Sequence, residues 1–464
     1  MINCFLKNHN FINEVQVTAQ VFFPNEKFSF TGEISKTGYT VVSEIETDGA
    51  FGFIFNDNVL LAHYFFAHDK SLNYLNERRV VMLALFHALR TVIPTHTPWG
   101  ALTGIRPSKL VREWLDDGCD ENEITARLTK VFCVCEEKSR LALTVAHAEK
   151  NVSQRISNTI GVYVSIPFCP SRCVYCSFNT SQKPASENFL ETYVSSLICE
   201  LREKARANTE AVSSIYIGGG TPTVLSETLL EKLLHAVCEN FTFSNEFTVE
   251  AGRPDTLTPQ KLKILRKYGV NRLAVNPQTL NDNTLKAIGR NHTAEDFFSA
   301  FNHAREIGFD CINTDLIAGL PDETPDDMRR NMEALAKLSP ENITVHTLAI
   351  KRASRLNEIR IENNGVLLSQ EGVISEMLTI AEKSCAEMNL RPYYLYRQKN
   401  MAALYENVGY SLPNHECLYN VGMMAEVQTI LGIGAGAVSK FVSGNKISRE
   451  FNVKNPEIYS ASLI

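Results

Sequence analysis

Tyr163-Val-Ser-Ile-Pro167-Phe-Cys169-Pro-Ser-Arg-Cys173-Val-Tyr175-Cys176-Ser-Phe178 sets three cysteines on one short loop, in a C-x3-C-x2-C pattern, directly behind an apolar run. Three thiolates so placed can bind three irons of a cubane [4Fe–4S] cluster and leave the fourth iron without a protein ligand. The amino and carboxylate groups of a substrate can chelate such an open iron, whereas typical electron-transfer clusters use four cysteines. A structural zinc site would call for a fourth Cys or His close by, and none is adjacent. Aromatic and apolar neighbours of the cysteines limit solvent access and so tune the potential.

Outward from this loop the chain alternates short apolar runs with amphipathic stretches. Strands are predicted at Gly161–Ile166, Ser214–Ile217, Glu246–Val249, Arg272–Val275, Cys311–Leu316 and Ile343–Leu348. Helices are predicted between them at Glu187–Arg206, Glu227–Glu239, Pro259–Tyr268, Ala294–Ile307 and Pro325–Leu338, with a further one over 368–389. Strands alternating with helices argue for parallel β/α units, and six units suggest a partial (β/α)6 barrel. That fold places functional residues at the C-terminal ends of strands.

The chain of 464 residues predicts two or three domains. We divide it at 1–155, an N-terminal α+β domain; 156–390, the barrel; and 391–464, a C-terminal extension rich in Tyr, Asn and Gly. In the first segment Val15, Val17, Ala19 and Val21 alternate as a half-buried strand would, as do Phe51, Phe53 and Phe55. Further strands are expected over Tyr39–Ile45 and Val59–Phe66, and helices over Glu77–Thr91 and Glu121–Gln154. A hydrophobic content of 44% suits a large core, and a net charge of −6 gives no global pull toward nucleic acid. No apolar run reaches membrane-spanning length, and the N-terminus lacks a signal-peptide pattern, so a cytoplasmic protein is expected. Twelve scattered cysteines do not make a disulfide framework. Cys199, Cys238 and Cys385 fall on helical patterns and read as core, and Cys133 and Cys135 as packing residues on a helix.

Candidate ligand-binding residues gather at strand ends. Gly218-Gly219-Gly220-Thr221 closes the second strand, where glycines let the backbone approach a ligand; a tight turn is the plainer reading. Glu250 ends the third strand and could accept hydrogen bonds from hydroxyls or an amine. Gln278 follows the fourth, Arg290 lies in Gly-Arg-Asn-His with a fork suited to carboxylates, and Asp315 ends the fifth. Each alone could be structural; their shared location is what raises them.

With Ile-Pro-Phe-Cys, Gly-Gly-Gly-Thr-Pro, Gly-Arg-x-His and Asp-Leu-Ile-x-Gly-Leu-Pro in hand, the chain resembles the oxygen-independent coproporphyrinogen III oxidase family of radical S-adenosylmethionine (SAM) enzymes, best its HemZ-like branch. The resemblance spans most of 161–350. It implies that Cys169, Cys173 and Cys176 hold the cluster, and that Tyr163, Gly219 and Glu250 contact the SAM bound to it. Tyr175, Gly220, Thr221, Gln278, Arg290, Asp315 and Ala349 match positions lining a second SAM site. The implied chemistry is reductive cleavage of SAM to methionine and a 5′-deoxyadenosyl radical. That radical removes hydrogen from a propionate, which loses CO2 and an electron to become a vinyl group. A low-potential electron donor such as flavodoxin or ferredoxin is implied too.

The sequence departs from that family in ways that bear on substrate. Phe178 stands where the decarboxylase commonly has a further Cys, as in the family's heme-chaperone branch. Leu431-Gly-Ile-Gly-Ala-Gly-Ala437 matches that branch, but its His-Asn-x-x-Tyr-Trp heme motif appears only as His415-Glu-Cys417-Leu-Tyr-Asn420. The third strand ends Glu-Ala-Gly-Arg-Pro rather than Glu-Ala-Asn-Pro, and the fourth Asn-Pro-Gln-Thr where the family has Gly-Val-Gln. Residues 1–155 have no counterpart in the decarboxylase. His415, Cys417, Met423 and Met424 include candidate axial heme ligands, although His415 on the surface and the methionines in the core is the simpler expectation. Tyr393-Tyr394-x-Tyr396-Arg397 would suit stacking on a tetrapyrrole or an ordinary strand. Alternatives to the oxidase are therefore a heme carrier and a radical enzyme that methylates or opens heme.

Overall fold

The structure, a computed structural model, describes residues 1–24, 26–104, 106–176, 181–182 (backbone alone), 186–350, 354–356, 358, 371–398, 405–444 and 446–463. Phe178 lies outside the described residues. The chain forms two compact units, one of Met1–Pro107 with Glu113–Ala142, the other of Ser108–Arg112 with Leu143–Ile464.

The first unit holds a five-stranded sheet: β1 (Ile2–Lys7), β2 (Phe28–Phe30), β3 (Tyr39–Glu46), β4 (Gly49–Asn56) and β5 (Val59–Ala67), in spatial order β2-β1-β3-β4-β5. Ile12–Phe22 is a helix, not the strand its alternating valines suggest. Its buried residues are Val15, Thr18, Ala19, Val21 and Phe22, a helical stripe that includes the Phe the period-two pattern leaves out. The helical run from Glu121 is also interrupted. A helix over Glu121–Ala126 passes into a π-turn at Arg127–Val131, and a new helix starts at Glu136. Cys133 sits in that break with φ +57, so Cys133 and Cys135 are not on a continuous helix.

The second unit is built on one eleven-stranded sheet. Six strands run parallel in chain order: β6 (Ile160–Ile166), then, beyond a short pair β7 (Phe168–Cys169) and β8 (Ser181–Gln182), β9 (Val212–Gly219), β10 (Phe243–Glu250), β11 (Arg272–Ala274), β12 (Cys311–Ala318) and β13 (Asn342–Thr347). The strands read as apolar runs because both faces are covered. Ile215, Ile217, Val249 and Leu316, for example, are fully buried. The connecting helices have well-defined starts: Thr293 and Thr324 form capping boxes with Asp296 and Asp327, and Pro325 takes the first turn. Cys385 is in the core as expected, whereas Cys199 and Cys238 are exposed, on the outward faces of their helices.

The C-terminal segment extends both edges of this sheet. On one side β14 (Arg391–Tyr396) pairs with β15 (Asn407–Ser411), which lies antiparallel to β13. On the other, β16 (Thr429–Ile433) lies parallel to β6 and carries the hairpin of β17 (Val438–Ser443) and β18 (Lys446–Phe451). The Gly-rich stretch 431–437 is the joint at this edge. A Cβ on Gly432 would stand 2.6 Å from the Val438 backbone; Gly434 has φ +101 and faces the Ser165 carbonyl, and its N–H donates to Glu200 at 2.8 Å.

Candidate functional site

The carboxyl ends of the parallel strands surround a cavity of about 450 Å3. Cys169, Cys173 and Cys176 line it, together with Tyr175, Gly219, Gly220, Thr221, Glu250, Gln278, Arg290, Asp315 and Ala349. Tyr163 is the exception among the residues expected here. It stands behind the wall, 5.7 Å from the Tyr419 ring and 6.2 Å from the Tyr216 ring in a stacked arrangement, and those two tyrosines line the cavity in its place.

Backbone approach explains the glycines. Gly219 has φ +106, where side chains are strained. A Cβ on Gly220 would fall 2.5 Å from the Phe168 carbonyl oxygen. The Gly220 and Thr221 N–H groups donate to Ile166 and Phe168 carbonyls at 2.8 and 2.7 Å, which ties this turn to the start of the cysteine loop. The Thr221 hydroxyl lies 3.6 Å from Cys169 Sγ. On the other side Ser171 Oγ donates to the Gly289 carbonyl at 3.0 Å, and Val174 N–H donates to Ile288. The Gly-Arg-x-His motif thus begins as a seat for the cysteine loop.

The charged residues divide their tasks. Arg290 is 6% exposed, and its Nη1 and Nη2 donate to the carbonyls of Asn276, Pro277 and Gly252 at 2.6, 3.2 and 2.7 Å. Its fork therefore holds two strand-end loops rather than standing open for a carboxylate. Burial pushes the Glu250 carboxyl up to about 7, and the nearby Asp315 carboxylate adds to the rise, against the Gly219 N–H and His346. Asp315 lies within β12 rather than at its end. Burial would raise its carboxyl, but the His346 ring and hydrogen bonds from Asn313 and Thr344 bring it below the ordinary range. Asn313 Nδ2 is 2.7 Å from Asp315 Oδ1, and His346 Nε2 is 3.6 Å from Oδ2. His346 Nδ1 faces the Tyr396 hydroxyl at 3.3 Å. Gln278 holds φ +71, its N–H donating to the Asp315 carbonyl and its carbonyl accepting from Ile317 N–H. A non-glycine residue locked in that conformation is a strained feature of the sort that collects at functional sites.

A second wall comes from the C-terminal segment. Tyr394 and Tyr396 from β14 line the cavity, their rings stacked at 6.3 Å, with Tyr419, Asn420, Met423 and Met424 from the helix Leu418–Ala425. Tyr216 and Tyr419 stack at 4.5 Å. The methionines pack against the buried cluster around Tyr393 and Leu418, as expected, and also reach the cavity. Tyr393 turns inward instead, 1% exposed. His415 is not among the lining residues; its carbonyl accepts from Arg272 and Asn342. Cys417 is buried against Glu246, whose carboxylate accepts from the N–H groups of Leu418 and Tyr419 and so caps the helix.

The donor set suits the cofactors that the motif implies. Three thiols line the cavity, and among the described residues no three His, Cys, Asp or Glu side chains are grouped to hold a single metal ion. Facing them are buried polar atoms without a hydrogen-bond partner among the described residues: Asn276 Oδ1, Gln278 Oε1 and Arg290 Nε. Unpaired buried groups in a cavity of this size are suited to a polar ligand. Sequence reasoning missed His346, which sits inside a strand, and left Arg253 as a mere departure in the third-strand motif; both line the cavity.

Residues 163–335 match the profile of the Radical SAM superfamily. The chain is 39% identical to the oxygen-independent coproporphyrinogen-III oxidase-like protein HemZ of Bacillus subtilis (strain 168), over 78% of this chain and 74% of that protein. It is also 39% identical to heme chaperone HemW of the same organism, over 41% of this chain and 50% of the chaperone. With the oxygen-independent coproporphyrinogen III oxidase of Escherichia coli (strain K12) it shares 33% identity over 41% of this chain and 42% of the enzyme. The solved structure of coproporphyrinogen III oxidase (HemN) from Escherichia coli superposes with a TM-score of 0.55 at 24% identity, covering 68% of this chain and 71% of that one, a likeness of fold. By its identity and coverage with HemZ, the chain belongs to the radical SAM superfamily and, within it, to the HemZ family of oxygen-independent coproporphyrinogen III oxidase-like proteins.

Proposed function

We propose that the protein carries out oxygen-independent oxidative decarboxylation of coproporphyrinogen III, turning two propionates into vinyls to give protoporphyrinogen IX. The observation that carries this reading is the meeting, in one cavity, of the three cysteines with residues from successive strand ends and with an aromatic and thioether wall. Membership of the superfamily implies a [4Fe–4S] cluster and SAM, which when bound supply hydrogen-atom abstraction. In this reading the parallel strands form a partial (β/α)6 barrel. The residues divide at 1–155, 156–390 and 391–464, the middle segment carrying the cysteine loop and the last contributing the aromatic and thioether wall.

Cys169, Cys173 and Cys176 would hold the cluster. Gly219 and Glu250 would meet the SAM on it, with Tyr163 acting through the tyrosines in front of it. Tyr175, Gly220, Thr221, Gln278, Asp315 and Ala349 would meet a second SAM. Arg290 keeps the carbonyl loops at 252 and 276–277 in place. His346 and Asn313 fix the Asp315 carboxylate, leaving it ionised to accept hydrogen bonds. Tyr216, Tyr394, Tyr396, Tyr419, Met423 and Met424 offer flat aromatic faces and polarisable sulfurs to a tetrapyrrole and exclude water from the reacting side chain. A low-potential donor such as flavodoxin or ferredoxin would supply the electron.

A second reading, a heme carrier, draws on the exposure of Met423 and Met424 to the cavity and on the identity with HemW. An anaerobic assay separates the two. Protein with a reconstituted cluster, SAM and reductant is given coproporphyrinogen III, and 5′-deoxyadenosine and porphyrinogen mass are followed. Loss of CO2 with matching deoxyadenosine supports the oxidase. A methyl gain on added heme points to a methylating enzyme. Bound heme without SAM cleavage supports the carrier and overturns the oxidase.

A further inference from the structure

We propose that Arg253 raises the reduction potential of the cluster through Cys173, and that Asp255 moderates its effect. The inference rests on the reading that Cys169, Cys173 and Cys176 hold the cluster. Arg253 is 3% exposed. Its Nε and Nη2 each lie 3.0 Å from one oxygen of Asp255, so the guanidinium plane is fixed by a bidentate pair. That leaves Nη1, which points at the cysteine loop: 3.2 Å from Ser171 Oγ, 3.5 Å from the Ser171 carbonyl and 3.8 Å from Cys173 Sγ. Ser171 is itself anchored to the Gly289 carbonyl, so both ends of the contact are held. The Gly252-Arg253 pair stands where the family that the sequence resembles carries a single Asn.

The physical consequence has a definite sign. A guanidinium stays charged under all working conditions. Reduction adds an electron to a cluster whose ligands are already thiolates. A cation and an N–H donor beside one of those sulfurs stabilise the more negative, reduced form, because hydrogen bonds to sulfur and net charge are principal determinants of cluster potential. The Asp255 carboxylate, paired with Nε and Nη2 on the other side of the guanidinium, acts with the opposite sign. Thr221, 3.6 Å from Cys169 Sγ, adds a neutral donor at a second sulfur.

The test uses the full chain, reconstituted anaerobically, as wild type, Arg253→Lys, Arg253→Met and Asp255→Asn. Iron and sulfide contents are measured first, and the cluster is then titrated reductively by electron paramagnetic resonance. With the cluster fully loaded, Arg253→Met should lower the ratio of reduced to oxidised cluster at a fixed poise about tenfold, equivalent to about 59 mV for one electron. Arg253→Lys should fall between it and wild type, and Asp255→Asn should shift the ratio upward. An unchanged ratio in loaded Arg253→Met overturns the proposal. So does a shift of Asp255→Asn in the same downward direction, which would mean loosened loop packing rather than charge. If Arg253→Met fails to assemble, Arg253→Lys and Asp255→Asn decide: opposite shifts support the proposal, and no shift or a common direction overturns it. Wild-type protein that assembles no cluster would instead overturn the cluster reading beneath it.

Discussion

The two walls of the cavity are built in opposite ways. One is made of short, contiguous motifs at the ends of parallel strands, the cysteine loop, Gly219-Gly220-Thr221, Glu250 and Gln278, with Asp315 from within β12. The other is assembled from β14 and the helix Leu418–Ala425, between which the chain passes through the antiparallel strand β15. The first wall has little freedom, because backbone contacts fix it; the second is a surface of interchangeable bulk. In the proposed function, the difference means that radical generation is written locally in the chain, while substrate contact is a property of how distant segments meet.

Breaking the first wall should have the largest effect. Cys173→Ala should abolish the cluster and all SAM cleavage while tetrapyrrole binding to the second wall persists. Iron content and deoxyadenosine formation measure the first half, and a spectroscopic binding titration the second. Retained cleavage in an iron-free variant would contradict the account.

The second wall should respond by degrees. Met424→Ala combined with Tyr394→Leu should weaken tetrapyrrole binding about tenfold, roughly 1.4 kcal/mol, the scale of one aromatic contact. Deoxyadenosine formation without substrate should stay near wild type. Equal loss of both would mean that the walls are not separable.

Tolerance to one methyl group sharpens the contrast further. Gly220→Ala places a Cβ 2.5 Å from the Phe168 carbonyl and should destabilise the apo protein by about 1–3 kcal/mol. Met423→Leu, a volume-conserving change on the other wall, should cost less than about 1.5 kcal/mol. Denaturant midpoints rank them, and the reverse order would refute the idea that backbone contact governs the first wall.

The smallest expected effect is electrostatic. The Glu250 carboxyl is raised to about 7, so the folded apo protein holds a proton that the unfolded chain has released above the ordinary carboxylate value of 4.5. Stability from this group is present at low pH and is lost as pH rises from about 4.5 through about 7. Glu250→Gln should flatten that part of the stability profile, read as the difference in melting temperature between pH 5 and pH 8. A parallel decline in both proteins would remove Glu250 as its source.

How much of this could be read in the sequence follows the same division. The six parallel strands and their helices are visible because apolar runs flanked by amphipathic periods are local signals, and of the residues expected to bind cluster or SAM all but Tyr163 line the cavity. Strand position alone does not say that Tyr216 and Tyr419 stack against Tyr163 and take its place in the lining. The helix Ile12–Phe22 hid behind valines that alternate by coincidence, its true stripe completed by Thr18 and Phe22. Met423 and Met424 face the cavity because Glu246, far away on β10, caps their helix and sets its direction, a long-range dependence that no local pattern carries. His346 and Arg253 were hidden by their places, one inside a strand and one beside a motif glycine.

The most direct test of the central claim, that a radical generated at the first wall reaches a tetrapyrrole held at the second, follows one hydrogen. Coproporphyrinogen III deuterated at the propionate β-carbons is given to the reconstituted protein with SAM and reductant, and 5′-deoxyadenosine is analysed by mass. The account predicts deuterium in the deoxyadenosine in step with vinyl formation. Unlabelled deoxyadenosine beside unchanged coproporphyrinogen would contradict it.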